Sequence, residues 1–228
     1  MSQDLAWQVF VTYRKVGRLR YLSHLDVARA FDRALRRADL PVRYTAGFHQ
    51  RTKVHLGPAL PVGAQGEAEL MGIELTRRVH SEEVERRLNG QLPPELAVTH
   101  AETVPMGAPS PLKGLAWATY LVTVGAEPEV SREELGRAVE AALAARELIV
   151  TDPEGEKAPV DARPRIDGLA PVPGEKGLVL EMTLGLAQET HLSPDRCLRA
   201  LEGLLEAPAK LRWLRLVRTG MWAATGRG

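Results

Sequence analysis

Cysteine is almost absent: Cys197 is the only one in 228 residues. A single thiol excludes an internal disulfide framework and any multi-cysteine zinc or iron–sulfur site built by this chain alone. No window of about eighteen apolar residues occurs, so no membrane-spanning helix is expected. The first residues, MSQDLAWQVFVTYRK, lack a basic stretch followed by an apolar core, so no secretory signal is read and the cytoplasm is the expected location. G-x-x-x-x-G-K-S/T, G-x-G-x-x-G and H-E-x-x-H are all missing, which removes the sequence warrant for nucleotide, dinucleotide or zincin chemistry. No cofactor and no metal are expected.

What is present is an ordinary globular composition, 44% hydrophobic and 26% charged, long enough for two domains. Residues 7–13 alternate, with Trp7, Val9, Val11 and Tyr13 on one side, which predicts a strand. Residues 23–38 predict a helix, with Ser23 as N-cap and Asp26 in the capping-box position before Leu40-Pro41. Residues 53–56 and 69–75 read as strands, 81–89 as a helix and 96–104 as a strand. After the proline- and glycine-rich stretch 105–114 the order returns: strand 117–124, helix 131–146, strands 148–151 and 178–186, helix 193–205 and strand 211–217. Two successive βαββαβ units predict an α+β chain of two tandem ferredoxin-like domains, residues 1–106 and 107–228. Residues 152–176 fit this poorly, being too long and too rich in proline and glycine for a simple hairpin.

The charge is unevenly placed. Between Phe10 and His55 stand eleven basic residues and three acids, a net +8; the whole chain carries +1, so the remainder carries −7. On a helical projection Val27, Ala28, Phe31, Ala34, Leu35 and Ala38 share one arc, and Arg29, Arg33, Arg36 and Arg37 the opposite one. With Arg18 and Arg20 from the preceding turn, and Arg51 and Lys53 from the following loop, these arginines form a candidate phosphate-binding surface. A solvated helix face is the plainer alternative. Tyr44 and Phe48 are candidates for stacking on bases, or for packing the loop onto the sheet.

The segment Arg20-Tyr21-Leu22-Ser23-His24-Leu25-Asp26, then Arg33-Ala34-Leu35-Arg36-Arg37-Ala38-Asp39-Leu40-Pro41, then Tyr44-Thr45-Ala46-Gly47-Phe48 and Leu60-Pro61-Val62-Gly63, closely resembles the radical-SAM-associated domain of unknown function, family 2344. The motif residues carried over are Ser23, His24, Asp26, Pro41, Tyr44, Gly47 and Phe48. An acidic stretch, Glu67, Glu69 and Glu74, follows as in the family, and Val160-Asp161-Ala162-Arg163-Pro164 resembles a later family element. Where the family has N-P-H-P, this chain has His49-Gln50-Arg51-Thr52. The resemblance implies no established activity. It implies a companion to a radical SAM protein, and this chain lacks the C-x3-C-x2-C cluster motif of such an enzyme.

Three functions follow as expectations. The first is a non-catalytic RNA-binding module presenting RNA to a radical SAM partner. The second is an adaptor docking on that partner without RNA contact. The third is a metal-independent ribonuclease using His24 or His49 as general acid or base, although the chain has no glycine-rich loop to support it. His24 sits in the first helical turn beside Asp26, yet projects next to Phe31 and Leu35, where a packed histidine also belongs. Glu67 and Glu69 are two apart on a strand, which edge-strand solubility explains. Cys197 shares a helical face with Leu198, Leu201 and Leu205 and reads as core.

Overall fold

The computed structural model describes residues 6–46, 50–151, 158–174 and 177–224. The chain divides into two compact units, Met1–Gly114 and Leu115–Gly228, and each is α+β.

In the first unit, strand β1 (Trp7–Lys15) is followed by a 3-10 turn (Gly17–Tyr21) and helix α1 (His24–Arg37). Strands β2 (Val54–Leu56) and β3 (Gln65–Leu75), helix α2 (Ser81–Asn89) and strand β4 (Val98–Pro105) complete it. The sheet order is β4-β1-β3-β2, every neighbour antiparallel. Alternation along β1 buries Val9, Val11 and Tyr13 in the same core as Val27, Phe31, Ala34 and Leu35 of α1 and Val84 and Leu88 of α2. The helix boundaries follow from capping chemistry. Ser23 Oγ accepts the Asp26 N–H, while the Asp26 carboxylate accepts from the Ser23 backbone and hydroxyl. The Asn89 side chain both donates to Val98 O and accepts from Val98 N at 2.8 Å, tying the end of α2 to the start of β4.

The second unit runs β5 (Leu115–Glu127), α3 (Arg132–Ala144), β6 (Ile149–Val150), β7 (Val160–Asp161), β8 (Ile166–Val172), β9 (Leu178–Gly185), α4 (Pro194–Glu202) and β10 (Lys210–Ala223). Its sheet strands lie in the order β10-β5-β9-β8, again all antiparallel. Counting sheet strands alone, both units place the fourth, first, third and second strand side by side. Ser131 and Ser193 cap α3 and α4. Cys197 is fully buried as the sequence suggests, and burial pushes its thiol up to about 12, which makes it chemically inert at neutral pH.

One strand assignment is corrected. Residues 148–151 do not join the sheet; Ile149 and Val150 pair with Asp161 and Val160 in a separate two-stranded ribbon. The sheet takes Ile166–Val172 instead, a segment whose Gly168 and Pro171 argue against a strand. Pro171 is tolerated because β8 ends the sheet order, where a residue without an N–H can leave no ladder bond unmade, and Gly168 stands at a shift in the register with β9. The ribbon is fastened by the second family element. Asp161 Oδ1 accepts from Leu148 N at 2.9 Å and Arg163 N at 3.0 Å, and the Arg163 guanidinium donates to Leu143 O and Ile166 O.

Candidate nucleic-acid interface

The basic segment begins on a buried anchor. Lys15 is only 3% exposed, and its ammonium donates to the carbonyls of Arg20 and Leu22 at 3.2 Å. These two bonds hold the 3-10 turn against the end of β1. Gly17 makes the reversal at φ 58°, where its missing side chain also avoids Glu95. Arg18 is thereby exposed, with no guanidinium partner among the described residues. Arg20 instead folds over the Tyr21 ring at 4.5 Å and donates to the Tyr21 hydroxyl and to Gly17 O.

The four helix arginines are not equivalent. Arg29 stays 69% exposed with a single 3.3 Å contact to Asp26, and Arg33 is exposed with no partner among the described residues. Arg36, by contrast, donates to Asp32 at 3.0 Å and to Gln50 O at 2.7 Å, and lies over the Tyr44 ring. Arg37 donates to the Gln91 side chain and carbonyl. Arg36 and Arg37 are therefore each held by two protein groups, Arg29 has one exposed contact, and Arg33 has none among the described residues.

The loop after α1 is a hairpin laid along β3. Thr45 N donates to Arg51 O and Lys53 N to Arg43 O, Tyr44 bridges to Thr52, and Val42 bridges to Leu75. Gly47, Phe48 and His49 lie outside the described residues. Asp32 fastens the hairpin to α1, its Oδ1 accepting from Thr52 N at 3.0 Å and Thr52 Oγ at 2.8 Å. Partial burial pushes the Asp32 carboxyl upward, but hydrogen bonds from Arg36 and Thr52 outweigh it and hold the group below its ordinary value. At the outer edge Glu74 gathers Arg43 (3.5 Å), Lys53 (3.6 Å) and His55 (3.1 Å), so Lys53 too has an internal partner.

A pH dependence follows with a defined sign. A carboxyl depressed in the folded state stabilises above its unfolded value, here about 4, and that contribution fades as the pH falls through the folded value. Asp32→Asn is expected to cost roughly 1–3 kcal/mol at neutral pH, through two hydrogen bonds and one charge-assisted pair. The cost should shrink below pH about 4, where wild type loses the same contribution. Urea denaturation at pH 7 and pH 3 checks it; an Asn variant as stable as wild type at pH 7 would contradict the role assigned to Asp32.

Between α1 and the hairpin lies an open groove of about 450 Å³. Leu25, Ala28, Val54 and Leu56 make its apolar surface, while Arg29 contributes from the helix and Arg51 from the hairpin. Leu25 is 65% exposed, and the Arg51 side chain has no partner among the described residues. His24 is not part of this groove. It lines a small space of about 10 Å³ with Tyr13, Lys15, Val27, Leu60 and Glu69, rather than packing only on Phe31 and Leu35 as the projection suggests. Glu69 is 4% exposed, which overturns its reading as an edge-strand solubility device; Glu67 is exposed. Among the described residues no group of three or more histidine, cysteine and acidic side chains is arranged to hold a metal ion. Of the motif residues, Ser23 and Asp26 form the α1 cap, Tyr44 supports Arg36, and Pro41 accepts from the Thr76 backbone and hydroxyl.

The sequence reading missed the groove because it is assembled from Leu25, Ala28 and two residues of β2, none conspicuous alone. One usable signal existed: Leu25 falls outside the apolar arc of α1, an exposed leucine inside a motif.

No helix among the described residues is long and apolar enough to cross a membrane. By fold, the chain resembles a chain in the crystal structure of a Cbf5-Nop10-Gar1 complex, with a TM-score of 0.55 at 10% identity. The likeness covers 96% of this chain and 49% of that one, so the protein spans about half the length of its structural neighbour. No curated protein matches by sequence. A family model does match, across residues 8–194 and therefore most of the chain, and the protein belongs to that family, described as "Uncharacterized protein conserved in bacteria (DUF2344)".

Proposed function

We propose that this protein is a non-catalytic RNA-binding module, made of two tandem ferredoxin-like domains, that works in the cytoplasm and presents RNA to a radical SAM partner. The strand order fourth-first-third-second, repeated in each antiparallel unit, supports the ferredoxin-like reading. The observation that carries the RNA reading is the groove between α1 and the hairpin. It brings exposed apolar surface and the guanidinium groups of Arg29 and Arg51 together, with Arg33 and Arg18 exposed on the same basic segment. Bound RNA needs both kinds of surface, cations for phosphates and apolar faces for bases. Lys53, Arg36 and Arg37 have a supporting part, fixing the hairpin and the helix end through Glu74, Asp32 and Gln91. His24 is given no catalytic role, since it lines a different space from the groove. The exposure of Tyr21 (60%) and Leu25 (65%) also favours a second reading, in which this surface docks on the partner protein without RNA.

Ultraviolet crosslinking of the purified protein to single-stranded RNA, with the adducts mapped by mass spectrometry, tests the proposal. Crosslinks are expected in the peptides carrying residues 18–33 and 51–56. Crosslinks confined to the second unit would overturn the assignment of the site.

A further inference from the structure

Resting on the RNA reading, we infer that the groove between α1 and the hairpin is a base-binding subsite that takes one unpaired nucleobase with little preference for its identity. The contents of the groove separate by chemistry. Leu25 and Ala28 from the helix, with Val54 and Leu56 from β2, offer an apolar surface, and the cations Arg29 and Arg51 enter from opposite walls. An RNA strand alternates apolar base faces with phosphates, so a base laid on that surface places its neighbouring phosphates toward the two guanidinium groups.

Duplex RNA cannot use such a site, because its base faces are stacked on one another and only base edges and backbone are presented. An uncharged apolar peptide is a poorer occupant, since it would bring no anion to the rim arginines in a segment of net +8.

Base identity goes largely unread because Asp32 and Thr45 in the groove lining are occupied and the two arginines are directed to phosphates. Asp32 accepts from Thr52 and Arg36, and Thr45 Oγ accepts from Arg51 N at 3.0 Å. Reading a base requires free donors or acceptors aimed at its edge, whereas contact with its face works for any base. Where the family pattern has the histidine of N-P-H-P, this chain has Arg51 in this wall, a cation at any physiological pH.

The test compares a single-stranded uridine oligomer with an abasic analogue of equal length and charge, and with a duplex, by fluorescence anisotropy. The uridine oligomer is expected to bind about tenfold more tightly than the abasic strand. Ala28→Leu, which fills the groove with an aliphatic side chain, should reduce uridine binding to the abasic level and leave abasic binding unchanged. Leu25→Ala, at a position 65% exposed, should act in the same direction by about threefold. Equal binding of uridine and abasic strands, unchanged by both variants, would overturn the base subsite while leaving the RNA reading in place. Failure of every strand to bind at low salt would overturn both.

Discussion

Changing Arg29, Arg33 and Arg51 together to glutamine is expected to weaken binding to single-stranded RNA about a hundredfold at roughly 0.1 M salt. Each phosphate contact to a single strand adds a salt slope of about 0.7, equivalent to roughly fivefold in affinity at that concentration, and three such contacts multiply. These arginines are chosen because their guanidinium groups have no partner, or in Arg29 one exposed contact, among the described residues. Arg36 and Arg37 provide the contrast. Their donors already serve Asp32, Gln50 O and Gln91, so changing both to glutamine should cost less than about fivefold in RNA affinity. The pair should instead lower thermal stability, because the hairpin and the end of α1 lose their clamps. Equal losses of affinity from the two sets would mean that the basic face acts as an undifferentiated field.

Phe31→Ala is expected to destabilise the first unit by roughly 3–5 kcal/mol. Phe31 is 0% exposed and meets the Tyr13 ring edge-on with centroids 4.9 Å apart. Deleting the ring leaves a cavity between α1 and β1 that neighbours fixed in helix and sheet cannot fill. Because Leu25, Ala28, Arg29 and Arg33 all ride on α1, the same variant should lose RNA binding as its stability falls. The arginine triple variant removes only exposed groups and should keep the wild-type melting temperature, which separates loss of the site from loss of the fold. A Phe31→Ala protein within about 1 kcal/mol of wild type by urea denaturation would refute this account of the core.

Much of the fold was legible because local chemistry marks it. The Ser23–Asp26 cap, the Asn89-Gly90 stop and Pro194 at the first position of α4 place helix ends within a residue or two, and alternation from Trp7 to Tyr13 identifies β1 and its inward face. What stayed hidden depends on partners distant in sequence. Ile166–Val172 contains a proline that only an edge position tolerates, and edge position is a property of the sheet. The division of the arginines into engaged and available ones turns on Asp32 reaching Thr52 twenty residues away, and on Gln91 reaching back to Arg37. Lys15 and Glu69 look like surface charges in the sequence, yet both are buried where the 3-10 turn closes over β1 and β3. Charge asymmetry singles out the segment 10–55 and does not say which of its cations already have protein acceptors.

Binding of purified protein to single-stranded RNA across a salt series, wild type beside the Arg29, Arg33 and Arg51 triple variant, tests the central claim most directly. The account predicts affinity that falls steeply with salt for wild type and a slope flatter by about 2 for the variant. No binding by wild type even at low salt, or identical slopes for the two proteins, would contradict it.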